Sequence, residues 1–438
     1  MLLNKLWCHV GMGRFNRSHQ SKCIDMIRKW RDKEYSDWSI IGVGISRQDK
    51  STIYNLRNQN HRYTLKEVSS EYSIVSVVDS ITDTIYIPDE KEKLNTLLTD
   101  DLKGVSVTIT ENGYHLDSNG VLFMSEDVKS DSNIMMHNRP YTIYGFLHYL
   151  LYHRYLLNLP GIYVMSCDNI IKNSAVLRTG FFQFLNTVHL KKDRERYLNW
   201  IENEVTFPIT MVDRITPNVC NREYIYKKHG IDDKCNVTSE TYLKWVIEDE
   251  FVSKSGYRFE CPPLELVDGV VIDKNIDVHE RMKIKFVNGG HLIIAFYGMM
   301  NDCVYVTEAM KNEECCRLLD EYFNSVCKTF TKEERITYDI MQYIENVKER
   351  FENIHILDTI ERLSLHGGTK VIFVMNDLVI DTDIDISNSI YIPIRMYFEY
   401  LNRMKHRLDF LVKYDMIGMT LLNSTNNNKD RINKLFFH

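Results

Sequence analysis

The glycines at positions 11 and 13 constrain this chain more than any other feature. An apolar run at residues 6–10 ends on them, and an amphipathic stretch at residues 21–30 follows. Strand, glycine turn and helix in that order form the opening unit of a dinucleotide-binding sheet. Two residues without side chains let backbone N–H groups and a helix start come close to a pyrophosphate. The third glycine of the usual fingerprint is absent, with Asn16 in its place.

Further strand-like runs at residues 38–43, 74–78, 105–109 and 162–165 are separated in several places by helical stretches, which predicts an α/β half on a largely parallel sheet. After about residue 277 the pattern turns helical, at residues 279–300, 313–329, 332–352 and 394–414. Pro262-Pro263 and Gly269 punctuate the approach to this change. A chain of 438 residues exceeds the usual single core, so two domains are expected. They are a Rossmann-like dinucleotide-binding domain over residues 1–276 and a mainly α-helical substrate and catalytic domain over residues 277–438. The polar, low-complexity stretch 423–428 is expected to fray.

With 44% hydrophobic and 26% charged residues the chain has the composition of a folded globular protein. A formal net charge of −6 leaves no basic field with which to release counterions from a phosphate backbone, so nucleic acid is not an expected partner. The ten cysteines contain no CxxC pair, and the adjacent Cys315 and Cys316 cannot both ligate one tetrahedral zinc in the usual spacing. No metal site is expected, and free thiols fit a reducing compartment. The most apolar region, residues 141–159, is interrupted by His148, His153 and Arg154, which makes it a core helix and no membrane span. Residues 1–10 carry Lys5 and run straight into the glycine turn, unlike a signal peptide. A cytoplasmic location is the resulting expectation.

Three further features carry chemistry. Asp49 lies beyond the second strand run, where an acid can accept hydrogen bonds from an adenosine ribose and repel a 2′-phosphate, favouring NAD over NADP. It reads equally as a solvated loop acid. Ser166-Cys167-Asp168-Asn169 follows the run at residues 162–165, at the carboxyl end of a strand, where open α/β sheets bind their ligands. Asn169 there is either a ligand or a turn former. Lys283, Asn288 and His291 share the helix that opens the second domain. At about 100° per residue they fall within a sector of about 140° and can face one pocket. Gly289-Gly290 in the same helix costs roughly 1 kcal/mol per glycine against alanine, which implies a close approach to that backbone. The alternative is a packing helix with a solvated lysine.

In these segments the chain resembles the long-chain mannitol dehydrogenase family, polyol-specific dehydrogenases that need no metal. The resemblance rests on the opening motif at residues 9–20 with its closing His19-Gln20 pair, on residues 107–114, on the Ser166 to Asn169 element, on residues 207–217, on Trp245 to Asp249, and on the Lys283, Asn288, His291 helix. Six motifs in the correct order cover most of the chain, from His9 to about Lys370. They are closest to the branch that acts on unphosphorylated polyols.

This resemblance implies an NAD-dependent interconversion of a linear polyol and its ketose, with D-mannitol and D-fructose as the leading pair. It implies Lys283 as general base, Asn169 and Asn288 as holders of the reacting oxygen, and His291 as the group that orients substrate. It also implies substrate contacts from Asp213, Arg362 and Lys370, and cofactor contacts from Gly11, Gly13, Arg14, Phe15, Thr110 and Glu111 beside Asp49. A monomer or weak dimer is expected. The alternatives are a hexuronate reductase, a mannitol-1-phosphate dehydrogenase of the same family, and a catalytically silent NAD-binding module. The sequence departs from the family pattern at Asn16, where histidine is usual, at Ser174, where glycine follows Asn173, and in a shorter helical domain.

Overall fold

The computed structural model describes residues 5–31, 34–133, 139–188, 194–219, 221–379, 384–422 and 427–437. Two compact units account for them. One comprises Met1–Val68 with Ser73–Ile276, the other Ser69–Tyr72 with Asp277–His438.

Among its described residues the first unit carries eleven strands: β1 (Lys5–Val10), β2 (Trp38–Gly44), β3 (Tyr63–Val68), β4 (Ser73–Val78), β5 (Ile81–Tyr86), β6 (Leu102–Val107), β7 (Tyr163–Ser166), β8 (Thr210–Asp213), β9 (Val237–Glu240), β10 (Lys244–Glu248) and β11 (Val270–Asp273). Five of them form one parallel sheet in the order β5-β2-β1-β6-β7. The strand order reverses at β1, whose Val10 pairs with Val43 on one side and Val107 on the other. In doubly wound sheets that reversal opens the crevice in which ligands bind.

A two-residue period builds the layers. Cys8, Val10, Val105, Val107 and Val164 point into one core, shared with the helices Ile143–Leu156 and Asn173–Thr187. Trp7, Ile40, Tyr163 and Met165 point into the opposite core, shared with helices α2 (Gln20–Arg28) and α3 (Arg47–Asn58).

The strands expected from the sequence shift by a few residues, with one larger correction. Residues 74–78 do not join the parallel sheet. They form β4, the outer strand of a separate three-stranded sheet β4-β3-β9, and β5 takes the expected place beside β2. The apolar run of β4 reads like a buried strand, yet Ile74 and Val77 are exposed. The edge strand β5 carries Thr82, Asp83 and Thr84 and hides its apolar signal. A third sheet, β11-β10-β8, completes the unit.

The second unit is helical. Its central helix, Gly289–Met300, is apolar on nearly every side, with Leu292, Ile293, Ile294, Ala295 and Phe296 buried, as expected of a helix surrounded by others. The helices Glu313–Cys327, Ile360–Ser364, Gly367–Met375 and Ile392–Arg403 pack on it. The single helix expected at 332–352 is two, Lys332–Thr337 and Ile340–Phe351. Asp339 breaks it with φ +42 and caps the second piece through its side chain. The stretch expected at 394–414 likewise divides, ending as Leu408–Tyr414. Residues 423–426 lie outside the described residues, whereas Asn428 opens the helix Asn428–Phe436. No described helix is long and apolar enough to cross a membrane.

The two leading glycines differ in what the fold asks of them. Gly11 has φ +97, and a Cβ there would lie 2.0 Å from the Thr108 carbonyl oxygen. Gly13 has an ordinary φ of −67, and a Cβ there would meet nothing within 4 Å. Gly11→Ala is therefore expected to lower stability by at least about 2 kcal/mol, and Gly13→Ala by less than about 0.5 kcal/mol. The midpoints of urea unfolding monitored by circular dichroism check both.

Candidate active site

The site is best built from the turn after β1. Trp7, His9, Ser106 and Thr108 lie on neighbouring strands β1 and β6 and just beyond, and their polar atoms form one buried chain. The Trp7 indole can only donate, and its Nε1 lies 2.6 Å from the Ser106 hydroxyl. Ser106 Oγ is 2.7 Å from His9 Nδ1, His9 Nε2 is 2.9 Å from Thr108 Oγ1, and Thr108 Oγ1 donates to the Gly11 carbonyl at 3.2 Å. The one hydroxyl proton of Thr108 is committed to the Gly11 carbonyl, so His9 Nε2 is the donor to Thr108 Oγ1. His9 is neutral, accepts at Nδ1 and donates from Nε2. Full burial lowers its pKa to about 3, in keeping with that tautomer.

A second tie comes from α3. Asp49 accepts from Met12 N at 2.9 Å through one carboxylate oxygen, and from Ser46 N at 3.1 Å and Ser46 Oγ at 2.8 Å through the other. The same side chain thus closes a capping box at the start of α3 and holds the glycine turn. The residue singled out for a ribose already has a role within the chain. Arg14 stands exposed at the start of the short helix α1 (Arg14–Ser18), and Phe15 stacks on His19 with ring centroids 4.9 Å apart.

Beyond β6 the backbone is strained. Thr110, a β-branched residue, adopts φ +64, which sterics normally forbid and which marks ligand-binding loops when the surroundings enforce it. Asp168, just past β7, enforces it. Its carboxylate accepts from Ile109 N and Thr110 N, each at 3.0 Å, and from the Tyr114 hydroxyl at 2.9 Å. Burial and then the neighbouring charge of Glu111 push its pKa up, against those three donors. Thr110 and Glu111 are exposed on this loop, and Asn169 is exposed immediately after Asp168.

The turn after β7 is itself fixed. Asn173 donates to the carbonyls of Asp168 at 3.0 Å and Thr210 at 2.9 Å and accepts from Thr210 N at 3.1 Å. Ser174 Oγ accepts from Ser166 N at 2.8 Å, so the serine that departs from the family pattern does the work of a strand-end cap. Asp213 lies buried at the end of β8, opposite Lys244 in the register of the other sheet.

The first unit therefore brings Gly11, Gly13, Arg14, Phe15, Asp49, Thr110, Glu111 and Asn169 to the carboxyl edge of one parallel sheet. Asp168, His9, Asn173 and Thr108 were not singled out as site residues in the sequence. Only the position of Asp168 at a strand end could have signalled it. Among the described residues no group of three or more His, Cys, Asp or Glu side chains is placed to hold a metal ion.

In the second unit Lys283, Asn288 and His291 lie on one continuous helical rod, but its winding is not the regular one expected. Between Ile276–Met282 and Gly289–Met300, residues Lys283–Asn288 form a π-helix. Its hydrogen bonds run from i to i+5, so the angular sector expected for a regular helix does not apply. Lys283 and Asn288 stand five residues apart, the span of one π hydrogen bond, and the wider π winding brings them nearer to one face of the rod than a regular helix would. His291 follows Asn288 by three residues, on the same face of a regular helix. The Lys283 side chain is buried, with 8% of the residue exposed. His291 packs on Phe351 with ring centroids 4.6 Å apart.

Arg362 makes a two-pronged pair with Asp358, at 2.7 and 2.6 Å. Lys370 donates to the Leu363 carbonyl at 2.8 Å. These two residues share neighbouring helices of the second unit.

A parallel doubly wound sheet with a glycine turn at its reversal point, followed by a helical unit presenting a buried lysine, defines a dinucleotide-linked dehydrogenase architecture. Residues 6–258 match the family described as mannitol dehydrogenase Rossmann domain, and residues 275–400 match mannitol dehydrogenase C-terminal domain. Mannitol dehydrogenase 2 of Saccharomyces cerevisiae is 34% identical over 373 residues, spanning 83% of this chain and 70% of that protein. A mannitol 2-dehydrogenase of Aspergillus fumigatus is 33% identical over 378 residues, spanning 83% and 71%. Among solved structures, Pseudomonas fluorescens mannitol 2-dehydrogenase in ternary complex with NAD and D-mannitol superposes with a TM-score of 0.78 at 29% identity, covering 92% of this chain and 80% of that one. A D-sorbitol dehydrogenase in substrate-free form gives 0.77 at 29% identity, covering 91% and 81%. The chain belongs to the mannitol dehydrogenase family.

The neutral His9 fixes one pH dependence. An unfolded histidine titrates near 6.5, whereas folded His9 resists protonation down to about 3. Its contribution is complete above about pH 6.5 and is lost as pH falls below that value, by about 1.4 kcal/mol per unit at most. Urea unfolding between about pH 7 and 4 is expected to show a shallower acid loss for His9→Asn than for the unsubstituted chain. Asp168→Asn, which sets an amide donor against backbone donors, is expected to lower stability by about 2 kcal/mol.

Proposed function

We propose that this chain is an NAD-dependent oxidoreductase that interconverts a linear polyol and its ketose, D-mannitol and D-fructose first among them. The observation that carries the reading is a buried lysine five residues before Asn288 in a π-helical segment, in a chain whose family members include mannitol 2-dehydrogenases.

The glycine turn suits the cofactor. Gly11 is demanded by the fold, but nothing in the chain demands Gly13, and the open space over it is room for a pyrophosphate. Gly13, Arg14, Phe15, Thr110 and Glu111 would hold NAD at the sheet edge, and Asp49 keeps acceptor capacity for ribose hydroxyls beside its bond to Met12. NAD, when bound, supplies the acceptor for the hydride leaving the carbinol carbon.

The chain supplies the rest. Lys283 in its neutral form takes the hydroxyl proton as the carbon–hydrogen bond is lost, and returns it when the ketose is reduced. The amides of Asn169 and Asn288 donate to the oxygen as negative charge develops, an effect worth on the order of 100-fold in rate or more per donor. His291, held against Phe351, orients the substrate. Asp213, Arg362 and Lys370 take the remaining hydroxyls.

D-sorbitol is a second reading, favoured by the near-equal likeness to D-sorbitol dehydrogenase. NADH formation followed by absorbance over D-mannitol, D-sorbitol, arabinitol, mannonate and mannitol 1-phosphate separates them. The expected outcome is turnover with an unphosphorylated polyol, rising with pH, while ketose reduction peaks nearer neutrality. Silence across the panel in a chain that binds NADH is the contrary result. Gly13→Ala is expected to weaken NADH binding about tenfold, or 1.4 kcal/mol, in a fluorescence titration.

A further inference from the structure

The π turn at Lys283–Asn288 needs something to hold it. At about 100° per residue a regular helix would set residues five apart about 140° from each other, whereas the wider π winding brings them nearer to one face. Such turns are rare and recur at functional sites. On the downstream side Gly289 and Gly290 lock the rod in place: a Cβ on the first would lie 2.3 Å from the Tyr322 hydroxyl, and on the second 2.8 Å from the Phe351 ring.

Inside the turn the fixing group is a second lysine, Lys285. Its side chain is 2% exposed, and its ammonium donates to the Val374 carbonyl and to the Asp377 carboxylate. Val374 lies in the last turn of Gly367–Met375, where helical carbonyls lack their own N–H partners and a cation is favoured. Burial pushes the Lys285 pKa down, and the Asp377 hydrogen bond pushes it back up. An ion pair whose cation is buried is seldom a source of net stability, since an apolar side chain of similar volume often does as well. Geometry is what it can supply that methionine cannot.

We propose that Lys285 is a positioning residue for the reaction: its bonds to Val374 and Asp377 hold the π turn and so keep Lys283 and Asn288 on one face of the rod. It ties that turn to the same helix that carries Lys370, one turn before Val374. The proposal rests on the reading of Lys283 as general base.

The test uses the full-length chain in four forms, Lys285→Met, Lys285→Arg, Asp377→Asn and Lys283→Met, with steady-state D-mannitol oxidation and NADH titration for each. Lys285→Met is expected to lose about tenfold or more in kcat, with NADH affinity within about twofold of the unsubstituted chain. Lys285→Arg, which keeps charge and donors, is expected to recover kcat to within about threefold. If Lys285→Met does not fold, Asp377→Asn decides: the Asp377 side chain is half exposed and solvated, and a kcat loss of about threefold at unchanged melting temperature is expected. Unsubstituted kcat in Lys285→Met, or in Asp377→Asn where that variant decides, overturns the proposal. So does a loss that arginine fails to rescue and that NADH binding shares. Full activity in Lys283→Met refutes the base assignment instead, whereas an inactive Lys283→Met beside an unimpaired Lys285→Met refutes only the positioning role.

Discussion

The carbonyl oxygen of Thr108 occupies the place a side chain at position 11 would need, and much of the first unit's site follows from that one contact. It forces a left-handed glycine at the end of β1 and draws the turn against the end of β6. The buried chain from Trp7 through Ser106, His9 and Thr108 then ends on the Gly11 carbonyl. A polar chain of this kind is favourable only when every member is satisfied, and here each member between the Trp7 indole and the Gly11 carbonyl has a partner on both sides. The glycine turn is consequently held from below by the sheet and from the side by Asp49.

The same logic governs the next loop. Asp168 sits where one carboxylate meets two backbone N–H groups and a phenol, and it holds Thr110 in a conformation that residue would not choose. Exposed Glu111 and Asn169 flank a rigid buried group. The side chains proposed to bear function at this sheet edge are thus carried by backbone whose geometry is set by buried and half-buried neighbours, the arrangement that preorganised sites require.

Much of this was legible in the sequence, and the losses have physical causes. The strand, glycine turn and helix order stands out because each part follows a different period, and the helical half stands out through its 3.6-residue repeat. Residues 74–78 misled because an exposed edge strand can be as apolar as a buried one, while β5 escaped notice behind Thr82, Asp83 and Thr84. Asp49 was visible as an acid beyond the second strand, but its bond to Met12 depends on a turn 37 residues away in sequence. The π turn left no mark that a periodic reading could detect, since it inserts extra winding into a stretch of ordinary helix formers. Lys285 was passed over for the same reason: its partners Val374 and Asp377 are set by tertiary packing.

At the centre stands the proposal that the neutral amine of the buried Lys283 is the proton acceptor for alcohol oxidation. Its most direct measurement is chemical rescue of Lys283→Ala by added methylamine, followed as NADH formation from D-mannitol. The account predicts a variant that binds NADH normally, turns over negligibly alone, and regains activity in proportion to the free-base amine. A Lys283→Ala protein that oxidises mannitol at the unsubstituted rate without amine would contradict it.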